Sequence, residues 1–69
     1  MKKYELSDDG GSRREIDVKG INAARKAARE WARNGDWDVS GTITVYIQEL
    51  DDDGDEVGDQ EWVEVEVGP

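Results

Sequence analysis

The stretch GTITVYIQELDDDGDEVGDQEWVEVEV, residues 41–67, holds two alternating runs around an acidic, glycine-bearing centre. In the first run Ile43, Val45 and Ile47 share one parity, and Thr42, Thr44, Tyr46 and Gln48 the other. In the second, Val63, Val65 and Val67 alternate with Trp62, Glu64 and Glu66. A period of two is the mark of a strand with one buried face. Two such runs around an Asp-Gly pair predict a β-hairpin. The obvious two-residue turn, Asp53-Gly54, fails on parity. It would set Val45 opposite Trp62 and Ile43 opposite Glu64, and directly opposed residues lie on one face. An odd loop of three or five residues, a longer odd one, or an equivalent bulge restores agreement. The register then predicted sets Ile47 opposite Val63, Val45 opposite Val65 and Ile43 opposite Val67. Gly54 is the expected positive-φ residue, and Gly58 marks a second irregularity.

The first third of the chain repeats the pattern in weaker form. Tyr4 and Leu6 share one side of a short strand. The segment SDDGGS (7–12) is dense in turn formers. Ile16 and Val18 then alternate with Glu15 and Asp17. A second antiparallel hairpin is expected here.

Between the hairpins the period changes. Positions 21, 24, 27, 28, 31 and 32 fall within an arc of about 140° on a helix. Four of the six are alanine, so the helix can lie close to a sheet, with Trp31 supplying bulk. Gly20 or Asn22 suits the start, and Gly35 suits a left-handed stop. Tyr4 and Trp31 read as core, and Trp37 as a cover at the core's end. No linker and no internal repeat stand out. The expected fold is therefore one α+β domain over 1–69, of order ββαββ. Two hairpins form a four-stranded, mainly antiparallel sheet, with one helix on one face and water on the other. Periodicity leaves the strand order open.

Charge is unevenly distributed. The 69 residues carry a net −9, yet residues 20–35 are basic, and residues 36–69 hold twelve carboxylates with no Lys or Arg. Such an acidic half argues against nucleic acid and anionic membrane as partners. No Cys and no His are present, which removes thiolate sites and the commonest general base. No apolar run approaches a bilayer span, and MKKYELSDD lacks the apolar core of a signal peptide. A cytoplasmic protein, monomeric or weakly dimeric, is the expectation, with no cofactor and no catalysis.

Three functional readings remain. The first is a small acidic protein-interaction module. Parity puts Tyr46 and Trp62 together on the outward sheet face, flanked by Glu64 and Glu66, with Asp52, Asp53 and Asp55 in the adjoining loop. Such a surface suits a basic partner. One form of it is an inhibitor that imitates nucleic-acid phosphates with Glu61, Glu64, Glu66 and the loop. Weak self-association through an edge strand or the open face fits the same features. The second reading is weak calcium binding by Asp51, Asp53 and Asp55. With Gly54 at the sixth position of a calcium loop, Glu49, Asp51 and Asp53 stand at the first, third and fifth. Gln60 stands where the bidentate Glu belongs, and strands flank the loop in place of helices. The third is high-salt adaptation with no ligand. On the helix, Arg25, Arg29 and Arg33 with Lys26 form a basic stripe, expected to face solvent and the chain's own acidic half.

Overall fold

The computed structural model describes residues 1–35 and 41–67. The expected cover by Trp37 falls outside these residues. Five elements follow in order: β1 (Lys2–Asp8), β2 (Arg13–Val18), α1 (Ile21–Asn34), β3 (Gly41–Leu50) and β4 (Glu56–Val67). The four strands form one antiparallel sheet ordered β2-β1-β3-β4, with α1 against one face. The ββαββ α+β architecture is the one the periodicities predict. The hairpins join through β1 and β3, so β2 and β4 are the edges.

Strand order explains burial. Tyr4 and Leu6 lie on a central strand and are fully enclosed, whereas Ile16 and Val18 on the β2 edge are half-buried. The core lies between the helix stripe Ala24, Ala28, Ala32 and the sheet residues Tyr4, Leu6, Val45, Ile47, Val63 and Val65. Alanines spaced by four line up on one helical face, and their small side chains let the backbone sit close to the strands. Trp31 is only half-buried at the margin of this cluster, not its main bulk. The bulk comes from Tyr4, Leu6, Ile47 and Val45 on the sheet.

The helix ends differ from expectation. Gly20 is the N-cap in fully extended backbone, with no side-chain cap. Asn22 does not cap the start; its Oδ1 accepts from Arg25 Nη1 at 2.8 Å. Gly35 is extended, at φ −70° and ψ 151°, rather than left-handed. Its N–H donates to the Ala32 carbonyl at 3.3 Å, so a tight final turn closes the helix without a Schellman bend.

The two loops turn out to share one design. In each, an Asp Oδ1 accepts the backbone N–H groups two and four residues on. Asp8 takes Gly10 and Ser12, and Asp51 takes Asp53 and Asp55, all at 2.9 Å. The same Asp donates its N–H to the carbonyl four residues on, and its own carbonyl accepts from the glycine three on. Those glycines, Gly11 and Gly54, have φ 91° and 87°. The shared pattern, Asp-x-x-Gly-x, is a short internal repeat. Both loops hold three residues between closing pairs, so the odd length and the role of Gly54 agree with the parity argument.

The predicted register of the second hairpin requires correction by one dyad. Val45 faces Val63, Ile43 faces Val65, Gly41 faces Val67 and Ile47 faces Glu61. Near the turn, Leu50 faces Glu56 and Glu49 faces Val57. Between Ile47 and Glu49 the ladder is interrupted, and β4 carries two extra residues. Gly58 sits in that bulge with φ 72°. A shift of two residues leaves every side chain on its predicted face, which is why parity alone does not detect it.

Candidate interaction face

The face of the sheet opposite the helix carries the residues of interest. Tyr46 and Trp62 are directly opposed across β3 and β4. Trp62 is 63% exposed and Tyr46 is partly covered. Glu64 and Glu66 follow Trp62 along the same side of β4 and are exposed; Thr44 and Thr42 face them from β3. On β1, Lys3, Glu5 and Ser7 continue the face beside Leu50, Gln48 and Tyr46.

The bulge creates the aromatic pair. If the pairing set by the turn ran on unbroken, Tyr46 would face Gln60 and Glu61 would face buried Val45. Two extra residues on β4 instead bring Trp62 to Tyr46 and Val63 to Val45. A bulge frees backbone groups, and Gln48 satisfies them. Its Nε2 donates to the carbonyls of Val57 (3.1 Å), Gly58 (3.3 Å) and Glu49 (3.2 Å). Gln48 is consequently buried, at 6% exposure, although alternation had assigned it to the open surface. Leu50, of the same parity, is also buried. The expectation of a wholly wet face is therefore corrected at this end of the sheet.

Tyr46 has a second anchor. Its hydroxyl hydrogen-bonds the Asp9 carboxylate in the first loop, and this contact raises the phenol pKa above its ordinary value. The negative charge of Asp9 acts in the same direction. Asp9 lies in the predicted turn, and the pairing of β1 with β3, which the periodicities leave open, brings it here.

Glu61 leaves the acidic row expected on this face. It points to the helix side, where its Oε1 accepts from Arg25 Nη2 at 2.8 Å. The other oxygen, Oε2, is buried with no hydrogen-bond partner among the described residues. Within the basic stripe, Arg25 makes the expected contact with the chain's acidic half, while Lys26, Arg29 and Arg33 are exposed. The acidic loop residues Asp52, Asp53 and Asp55 are all exposed. Asp51 commits one carboxylate oxygen to its own turn. Among the described residues, no three of Asp, Glu, His or Cys are grouped so as to hold a metal ion. No helix among them is long and apolar enough to cross a membrane.

The helix side carries shallow depressions. One, of about 490 Å³, runs between β2 and α1 past Leu6, Arg14, Ile16, Ala27 and Trp31. Another, of about 280 Å³, is bordered by Tyr4, Ile21, Glu49, Asp59 and Glu61. Compared with family models, curated proteins and solved structures, the chain has no match in any of the three.

Proposed function

We propose that this chain is a non-catalytic protein-interaction module that engages a basic partner through the open face of its sheet. The observation that carries this reading is the direct opposition of Tyr46 and an exposed Trp62 on a helix-free face. Aromatic side chains are enriched at interface centres, where they bury much area at little entropic cost. Here the flanking groups on β4 and in the first loop are Glu64, Glu66 and Asp9, with no Lys or Arg on β3 or β4, while Lys3 and Arg13 lie farther across the same face on β1 and β2. The acidic side of the face steers an oppositely charged partner. The anchoring of Tyr46 by Asp9 and of the bulge by Gln48 holds the face in shape before contact, which lowers the ordering cost of binding. The nucleic-acid-mimicking form of this reading rests on Glu64, Glu66, Asp52, Asp53 and Asp55, without Glu61.

The test compares proteins retained from the native host by the wild type, by Trp62→Thr and by Lys26→Ala on the helix side. A basic partner lost with Trp62→Thr, kept with Lys26→Ala and eluted by moderate salt is the expected result. The same retained set for all three proteins would refute the reading.

A further inference from the structure

We infer that two copies of this chain pair through the free edge of β2 to form a closed, two-fold dimer with a continuous eight-stranded sheet. Three observations converge on that edge. The first is its backbone. Asp8 donates its N–H to Ser12, so Asp8 and Ser12 form a hydrogen-bonded pair. Alternation along an antiparallel ladder then makes Leu6–Arg14, Tyr4–Ile16 and Lys2–Val18 the bonded pairs in the observed register. Arg13, Glu15 and Asp17 are left with their N–H and C=O groups aimed at the open edge.

The second observation is charge. An antiparallel two-fold pairing that keeps both faces aligned joins residues of equal parity. Centred on Glu15, it sets Arg13 of each copy opposite Asp17 of the other, giving two ion pairs on the outward face. The two Glu15 side chains meet at the axis, each diagonal to an Arg13. One dyad towards the helix, Glu15 would face Asp17 and Arg13 would face Lys19, all like charges. One dyad towards the turn, Arg13 would face Glu15 twice, but Arg14 would face Arg14 on the helix side and the ladder would be shorter. The β4 edge has no such option. Residues 36–69 contain no cation, so β4 paired with itself sets carboxylates among carboxylates, a common guard on edges.

The third observation is apolar surface. The helix packs mainly on β3 and β4 and only lightly on β2. Ile16, Val18 and Trp31 are left half-buried on the helix side of this edge, beside the 490 Å³ groove. In the register centred on Glu15, Arg14 of one copy lies opposite Ile16 of the other, where its aliphatic stem covers the exposed methyl groups. The axis runs through the sheet, so both Tyr46–Trp62 faces point the same way. The dimer presents that surface twice without using it.

Sedimentation equilibrium from micromolar to millimolar concentration tests the proposal. The wild type should show a monomer–dimer equilibrium with no larger species. Arg13→Asp and Asp17→Arg should each weaken it about tenfold, since each turns two attractive cross-strand pairs into repulsive ones. An equimolar mixture of the two variants should recover a heterodimer of wild-type affinity. One junction then pairs the introduced aspartate with the introduced arginine, and the other pairs the native Arg13 with the native Asp17. That recovery also shows that both variants fold. A monomer at every concentration, a dimer indifferent to both substitutions, or open-ended polymers from β2 joining β4 would each overturn the inference.

Discussion

The two hairpins begin with the same turn and end with different surfaces. In both, an Asp carboxylate gathers two backbone N–H groups, and a glycine with φ near +90° completes the loop. Beyond the first turn, β1 and β2 pair without a break from Ser7–Arg13 to Lys2–Val18. Beyond the second, the ladder runs for two pairs and then gains two residues on β4. A turn thus fixes register only as far as the next irregularity. The continuous hairpin supplies a central strand and an edge. The interrupted one brings Tyr46 opposite Trp62. The difference comes from a glycine able to adopt positive φ and a glutamine placed across from it.

Gln48 offers the largest test of that difference. Gln48→Ala leaves the Val57 and Gly58 carbonyls without their donor in a part-buried setting. A fully buried group left unsatisfied costs about 1–3 kcal/mol; with water able to reach these two, a combined loss of about 2 kcal/mol is expected in urea unfolding. The second hairpin should also lose its fixed register. Cross-strand contacts between Tyr46 and Trp62 in nuclear Overhauser spectra should fade, while those between Tyr4 and Ile16 persist. Persistence of both sets would show that the bulge does not depend on Gln48.

The glycines of the paired turns give a smaller and symmetrical effect. A Cβ placed on Gly11 or Gly54 meets nothing within 4 Å. The cost of Gly11→Ala or Gly54→Ala is therefore the left-handed backbone alone, about 1–2 kcal/mol. Equal losses in chemical denaturation, within about 0.5 kcal/mol, are expected from equal geometry. A clearly larger loss at Gly54 would mean that the second turn also maintains the bulge beyond it.

The legible part of this fold is the part that obeys a period. Alternation identifies all four strands and their inward faces, and the alanine stripe identifies the helix. Face parity excludes the two-residue turn at Asp53-Gly54. Register was legible only to within a dyad, because Val63 and Val65 are equally good inward partners for Val45. Choosing between them depends on the bulge at Gly58 and on Gln48, a polar residue that alternation assigns to solvent. The signal for it was a glycine inside a strand opposite a side chain with two donors. Glu61 is similar. Its parity matches Val63, so inward placement was readable, but its partner Arg25 lies 36 positions away along the chain. The repeat Asp-x-x-Gly-x at 8–12 and 51–55 was present in plain sequence. Its two copies share a capping geometry rather than an obvious string of residues. The Asp9–Tyr46 contact was not readable, since it requires β1 to lie beside β3.

Through that contact the first turn reaches the aromatic pair, and it yields the smallest effect. The Tyr46 phenol is held above its ordinary pKa of about 10 by the Asp9 carboxylate. A raised value in the folded state means that the native protein holds its proton longer than the unfolded chain does. The associated stability is complete below about pH 10 and is lost as pH rises through the raised pKa. Asp9→Asn removes the negative charge and the strongest acceptor. At pH 7 the variant should melt close to the wild type, because the site is solvent-accessible and such pairs contribute little there. In an ultraviolet titration of phenolate absorbance, the transition assigned to Tyr46 should move down towards the ordinary value, and Tyr46→Phe should abolish it. Above pH 10 the wild type should lose stability faster with pH than Tyr46→Phe does. An unchanged Tyr46 titration in Asp9→Asn would detach the first loop from the aromatic pair. The two hairpins would then share a turn design and a sheet, and the pre-shaping of the binding face would rest on the bulge alone.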